Sequence, residues 1–80
     1  MKIAILGMGC PKCKMTEQNV REACKALGLD AEITHVADPK EFARIGVRIT
    51  PAVVVDGTVL FSGRVPDVEE LKEALGKFRS

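Results

Sequence analysis

The sequence predicts an α/β fold, a single domain over residues 1–80 with a four-stranded mixed sheet flanked by helices. Three observations predict it: a short apolar run at the N-terminus that ends at a glycine, stretches with apolar residues at helical spacing, and an Asp-Gly pair between two β-rich runs. The predicted order is β-α-β-α-β-β-α. A strand, a helix and a second strand require a parallel pair with a right-handed crossover, whereas the Asp-Gly turn requires an antiparallel pair.

The first half of the chain predicts two strands and a long helix between them. Residues Lys2 to Leu6 ("KIAIL") form a short apolar run typical of a strand that is buried on both faces. The helix begins near Pro11 and ends at Gly28, and its apolar stripe contains Val20, Ala23, Cys24 and Leu27. The second strand is predicted over Ala31 to Val36.

The second half predicts a short helix, a hairpin and a closing helix. Asp38 is a typical N-cap with Pro39 in the first turn, and the short helix extends to about Ile45 before Gly46. The hairpin strands are Ala52 to Val55 and Thr58 to Ser62, joined at Asp56-Gly57. The last helix follows Pro66-Asp67, and its apolar stripe contains Val68, Leu71, Leu75 and Phe78.

Composition excludes several function classes. The chain has 46% hydrophobic residues, which suits a globular protein, and its net charge of +1 favours neither nucleic acid nor an anionic membrane as a partner. The apolar runs are too short to span a bilayer, and the N-terminus lacks the features of a secretory signal. An odd count of 3 cysteines is atypical of a secreted, disulfide-stapled domain. We therefore expect a cytoplasmic protein.

The motif that carries chemistry is the pair Cys10 and Cys13 in "LGMGCPKCK". It lies after the first strand and at the start of the first helix, where unpaired amides and the helix dipole stabilise a thiolate. Cys10 precedes the helix and is the candidate nucleophile, whereas Cys13 lies one turn inside, faces partly toward the core, and is the candidate resolving thiol. No second pair of cysteines exists for a closed zinc site.

A soft-metal carrier is the alternative interpretation. "GMGCPKC" resembles the copper-binding loop of heavy-metal-associated domains, in which two thiolates hold a monovalent ion. That resemblance ends after the second strand. Such a domain would continue with a hairpin, a helix and a last strand, whereas this sequence predicts a helix next and a helix at its end.

The stretch "RITPAVVVDGTVLFSGRVP" favours redox chemistry. It places Thr50-Pro51 immediately before an apolar strand, and with the CxxC, the hairpin, Gly63 and the closing helix it resembles the thioredoxin and glutaredoxin families over nearly the whole chain. In those families a cis proline occupies this position and faces the CxxC loop. The resemblance is to small thioredoxin-like redox-active disulfide proteins.

The resemblance implies a thiol:disulfide oxidoreductase that reduces protein disulfides and is itself reduced by an upstream reductase. It implies that Cys10 is the nucleophile, Cys13 the resolving thiol, and Thr50 and Pro51 the substrate-facing turn. We expect the loop residues Met8, Gly9 and Pro11 to complete the substrate-binding surface. No cofactor and no resident metal are expected, and the chain is predicted to act as a monomer.

Four further residues receive structural interpretations. Met8 is expected to pack or to form part of a hydrophobic docking rim rather than to ligate metal, and Met15 is expected to pack. His35, near the end of a predicted edge strand, is interpreted as a surface or hydrogen-bonded group without a catalytic role. Cys24 lies on the apolar stripe and is expected to behave as a small buried hydrophobe.

Overall fold

The computed structural model describes residues 1–9 and 11–79, and its secondary structure follows the predicted order. The elements are β1 (Lys2–Leu6), α1 (Pro11–Leu27), β2 (Glu32–Val36), α2 (Pro39–Ile45), β3 (Ala52–Val55), β4 (Thr58–Ser62) and α3 (Val68–Arg79). One predicted boundary differs slightly. The second strand begins at Glu32 rather than Ala31, and Glu32 N–H donates to the Met1 carbonyl at 3.0 Å.

The predicted mixed sheet is confirmed, with the strand order β2-β1-β3-β4. β1 pairs with β2 in parallel and with β3 antiparallel, and β3 pairs with β4 antiparallel. β1 is therefore an interior strand whose carboxyl end lies between the end of β2 and the start of β3. The loop that follows β1 has neighbours on both sides for this reason.

Helices cover both faces of the sheet because the two central strands are apolar on both faces. The larger core lies beneath α1 and α3 and consists of Ile3, Ile5, Val20, Ala23, Cys24, Val53, Val55, Leu71 and Leu75. The smaller core lies beneath α2 and consists of Leu6, Phe42, Val47, Ala52 and Val54. All four residues of β3 are buried, as expected of an uninterrupted apolar strand between two layers of helices.

The caps of α2 follow the sequence prediction. The Asp38 side chain accepts a hydrogen bond from Lys40 N–H at 3.0 Å, and Pro39 occupies the first turn. Gly46 ends the helix with φ of 95°, a left-handed conformation that favours glycine. The sequence thus determines both ends of this short helix locally.

The hairpin turn has a second role that its sequence does not reveal. Asp56 and Gly57 both have positive φ, 47° and 86°, as the Asp-Gly pair predicts. Asp56 also accepts from Lys2 N–H through Oδ1 at 2.8 Å and donates its own N–H to the Lys2 carbonyl at 2.8 Å. The turn therefore fixes the start of β1 as well as joining β3 to β4.

Within the described residues, none of the helices combines the length and the apolar character that a bilayer crossing requires.

Candidate active site

The candidate site lies at the carboxyl end of β1. Leu6 and Gly7 are buried there, Met8 and Gly9 are exposed, and α1 begins at Pro11. Cys10, the predicted nucleophile, lies outside the described residues. In the sequence it directly precedes the first residue of α1, so the helix begins inside the Cys10-Cys13 motif.

Cys13 is in the first turn of α1 and its side chain is buried, with 1% of the residue exposed. Its sulfur stands against the backbone of Gly7. A Cβ added at Gly7 would lie 2.0 Å from Cys13 Sγ and 3.2 Å from Cys13 Cβ. The sulfur occupies the space that any side chain at residue 7 would need, so glycine is required there for close approach.

The Thr50-Pro51 turn reaches the same glycine. Its peptide bond is cis, as the resemblance implies, and Pro51 is buried. Thr50 Cβ would lie 4.0 Å from a Cβ at Gly7. The turn comes here because β3 runs antiparallel to β1 with Ala52 opposite Leu6, which places the start of β3 beside the end of β1.

The turn is held from its other side by the end of β4. The Ser62 hydroxyl donates to the Ile49 carbonyl at 2.8 Å, and Gly63 N–H donates to the Pro51 carbonyl at 3.0 Å. Gly63 has φ of 87°, and a Cβ there would come within 3.1 Å of Ile49 Cγ2. Sequence reasoning missed Ser62, because no local pattern links it to a carbonyl that lies outside its own hairpin.

Exposed apolar side chains flank this site. Met8 follows Gly7 and is 63% exposed, and Ile49 precedes Thr50 and is 62% exposed. Of the two interpretations of Met8, packing or a docking rim, the exposure favours the rim.

The prediction that Met15 packs is wrong, since Met15 is 55% exposed. It lies off the buried stripe of Cys13, Thr16 and Val20, because one residue turns an α-helix by about 100°.

His35 belongs to the surroundings of the site. Its Nε2 lies 3.0 Å from the carbonyl oxygen of Gly7, so the ring is hydrogen-bonded to the residue that contacts Cys13. The sequence indicated a surface or hydrogen-bonded histidine on an edge strand, and β2 is an edge strand. What the sequence could not show is that the partner is the residue whose backbone stands against the Cys13 sulfur.

Cys24 lies apart from these residues in the core beneath α1 and α3. Burial raises the pKa of its thiol, because the thiolate would lose its hydration. This agrees with the predicted role as a small buried hydrophobe. In the part of the chain that the structure describes, no group of three or more histidine, cysteine, aspartate or glutamate side chains is arranged to hold a metal ion.

Comparisons with known proteins show the family to which the chain belongs. Residues 1–76 match the family described as Thioredoxin domain. The chain is 47% identical over 76 residues to a protein named Thioredoxin from Methanocaldococcus jannaschii, an alignment that covers 95% of this chain and 87% of the relative. It is 43% identical over 75 residues to a Thioredoxin from Methanothermobacter thermautotrophicus, covering 94% of this chain and 97% of that relative.

A third relative, a Probable Thioredoxin from Methanothermobacter thermautotrophicus, is 38% identical over 69 residues, with 82% of this chain and 80% of the relative covered. The fold and the dithiol loop define the class of protein, a thiol:disulfide oxidoreductase. The chain belongs to the thioredoxin family.

Proposed function

We propose that the chain reduces disulfide bonds of other proteins through a reversible disulfide between Cys10 and Cys13. The observation that carries this proposal is the environment of Cys13. Its thiol is buried in the first turn of α1, with the Gly7 backbone against the sulfur and the Thr50-Pro51 turn beside the same glycine. A buried thiol with a cysteine three residues before it suits intramolecular attack better than attack on a large substrate.

In the first step Cys10 acts as a thiolate and attacks one sulfur of the substrate disulfide. A mixed disulfide between Cys10 and the substrate forms, and the second substrate sulfur leaves as a thiolate. Cys10 directly precedes Pro11, where α1 begins. The positive end of a helix dipole and its unpaired amides stabilise an anion at such a position, which favours the thiolate.

In the second step Cys13 loses its proton and attacks the sulfur of Cys10. The Cys10-Cys13 bond forms, the mixed disulfide breaks, and the remaining substrate sulfur leaves with the electron pair as a thiolate. The substrate has gained two electrons and the chain has lost two. An upstream reductase returns them by reducing the intramolecular disulfide.

We propose that the substrate segment lies across Thr50 and Pro51 and against the loop of Met8, Gly9 and Pro11. Exposure of Met8 supports an apolar contact with the substrate, and Ile49 extends the same rim. The hydrogen bonds from Ser62 and Gly63 support a turn of fixed shape on the other side. A fixed surface lowers the entropy that is lost when a substrate segment is positioned for attack.

We propose a cytoplasmic protein that works as one domain and as a monomer, with no nucleic acid or membrane partner and no cofactor. The small net charge of +1 supports the absence of a polyelectrolyte partner.

The two thiols are distinguished by trapping and turnover. We expect Cys13→Ser to accumulate mixed disulfides with insulin because nothing resolves them, and we expect Cys10→Ser to form none. With a reductant supplied, the wild-type chain should turn over insulin, and so should the control variant Cys24→Ala.

Alkylation of Cys13 before Cys10 near pH 7, read by mass spectrometry, would reverse the assignment. Retention of monovalent copper against excess small thiols without any turnover would favour the metal carrier instead.

A further inference from the structure

The residue behind the resolving thiol is held through both of its backbone polar groups by β2. Gly7 N–H donates to the Val36 carbonyl at 2.9 Å, which extends the parallel ladder of β1 and β2 by one bond. The Gly7 carbonyl oxygen lies 3.0 Å from His35 Nε2. The Gly7 N–H therefore has a backbone partner, whereas the Gly7 carbonyl has a side-chain partner.

The path of the chain explains why a side chain serves here. Leu6 stands opposite Val36, so in a continued parallel register the Gly7 carbonyl would face the N–H of Asp38. β2 ends at Val36, however, and Asp38 is the N-cap of α2. The ring of His35, the residue directly before Val36, supplies a donor to the Gly7 carbonyl.

The bond also determines where the ring carries its proton. A carbonyl oxygen only accepts hydrogen bonds, so Nε2 must carry a hydrogen. In the neutral ring Nδ1 is then unprotonated, and addition of a proton at Nδ1 leaves the bond to Gly7 intact. The contact is therefore compatible with the neutral ring that carries its hydrogen on Nε2 and with the charged ring. It is incompatible with the neutral ring that carries its hydrogen on Nδ1 alone.

We propose that His35 is a positioning residue for Cys13. It holds the Gly7 backbone, and that backbone forms the wall against which the Cys13 sulfur stands, at a separation that leaves no room for a methyl group. Intramolecular attack depends on how narrowly the reacting atoms are oriented. His35 accordingly promotes the step in which the Cys13 thiolate bonds to Cys10 and the substrate sulfur leaves as a thiolate. The inference rests on the proposed function.

Two substitutions of His35 separate the effect of its hydrogen-bond donor from the effect of its ring shape. His35→Phe keeps a planar ring without a donor, and His35→Gln keeps an amide N–H at similar reach without the ring. Thr34→Val is the matched control, an exposed neighbour on the same strand. All are made in a Cys24→Ala background, so that only Cys10 and Cys13 react. Circular dichroism and the urea unfolding midpoint establish that each variant is folded.

The probe is 5,5′-dithiobis(2-nitrobenzoate), which releases a coloured thiolate in each of the two steps. Attack by Cys10 releases the first equivalent and attack by Cys13 on the mixed disulfide releases the second. Loss of one ordinary hydrogen bond corresponds to about a 3- to 10-fold change. We expect His35→Phe to slow the second phase by that factor and to leave the first unchanged, with His35→Gln and Thr34→Val close to the parent.

Several results would overturn the inference. One is a second phase at the parent rate in His35→Phe, and another is equal slowing in His35→Gln. The chain has 1 histidine, so its ring nitrogens give one unambiguous set of ¹⁵N signals in the wild-type protein. A neutral ring protonated on Nδ1 would also exclude the proposed bond, whatever the folding of the variants. Release of only one equivalent by the parent would refute the Cys10-Cys13 disulfide itself.

Discussion

Gly7 is the residue on which the described part of the site converges. Its N–H and its carbonyl are bound by Val36 and His35, its Cα side faces the Cys13 sulfur, and Thr50 approaches from the next loop. Residue 7 must be glycine because the Cys13 thiol already fills the space that a side chain at this position would need. The requirement differs from that at Gly46, where positive φ is the reason.

A methyl group at Gly7 is therefore expected to displace the Cys13 thiol. Gly7→Ala would place the new carbon 2.0 Å from Cys13 Sγ. Overpacking of this kind destabilises a protein by about 1 to 3 kcal/mol. We expect a lower free energy of unfolding of the reduced protein in urea, and slower insulin reduction because the sulfur is displaced.

The control is the same substitution at Gly76, in α3, where an added Cβ meets no atom within 4 Å. Because alanine favours helix more than glycine does, Gly76→Ala should stabilise the protein by about 0.5 to 1 kcal/mol. Equal stability of Gly7→Ala and wild type would show that the Gly7 backbone and the Cys13 side chain move apart at little cost in free energy.

At the scale of elements, reciprocal hydrogen bonds close the start of α3. Asp67 Oδ1 accepts from Glu70 N–H at 2.8 Å, and Glu70 Oε1 accepts from Asp67 N–H at 3.2 Å, which is a reciprocal capping box. Arg64 also binds the Glu70 carboxylate and lies 5.3 Å from the centre of the Phe61 ring. These contacts connect α3 to the chain that leaves β4.

The hydrogen bonds to the Glu70 carboxylate predict a pH dependence of stability. Hydrogen bonds from Arg64 and from Asp67 N–H hold the pKa of Glu70 below its ordinary value of 4.5 in the folded protein. The folded state therefore favours the carboxylate more than the unfolded state does. The resulting stabilisation is present above the unfolded pKa and is lost as pH falls through the folded pKa.

We expect the urea midpoint of wild type to fall as the pH is lowered through and below 4.5, and we expect Glu70→Gln to lack part of that decrease. The comparison is Glu73→Gln, which removes a carboxylate paired with Lys77 at 3.1 Å on the same helix. If the urea midpoints of wild type and Glu70→Gln fell in parallel as the pH is lowered, the contribution of the Glu70 hydrogen bonds would be refuted.

At the scale of the whole molecule, α3 contributes to stability mainly through its buried stripe. Leu71 and Leu75 are fully buried against β1, β3 and α1 in the larger core. Asn19 Nδ2 also donates to the Pro66 carbonyl at 3.0 Å, which joins α1 to the segment before α3. A chain of 80 residues buries a small core, so each such side chain carries a large share of the stability.

Truncation of a leucine in this stripe should destabilise the protein strongly. Leu75→Ala is expected to lower the free energy of unfolding by about 2 to 5 kcal/mol, against a total of about 5 to 15 kcal/mol for a typical domain. Leu60→Ala, at a half-buried position on β4, should be milder because less apolar area leaves the core. Urea unfolding measures both. Equal losses would mean that α3 does not close the core as described.

Much of this molecule could be predicted from the sequence because the signals are local. The ends of α2 follow from Asp38, Pro39 and Gly46, and the hairpin follows from Asp56-Gly57, since caps and turns depend on residues that are adjacent in the chain. The mixed sheet follows from the element order through the crossover rule. The motif that includes Cys13 follows from spacing alone.

Tertiary structure alone decided which residues surround that motif. The bond between His35 and Gly7 joins residues 28 positions apart, that between Ser62 and Ile49 joins residues 13 apart, and that between Lys2 and Asp56 spans 54. Each depends on strand register and on where one strand ends beside another. Exposure of Met15 likewise depends on which side of α1 packs against the sheet. Adjacent residues determine turns and caps, whereas the wall behind Cys13 exists only after β1, β2 and β3 have paired.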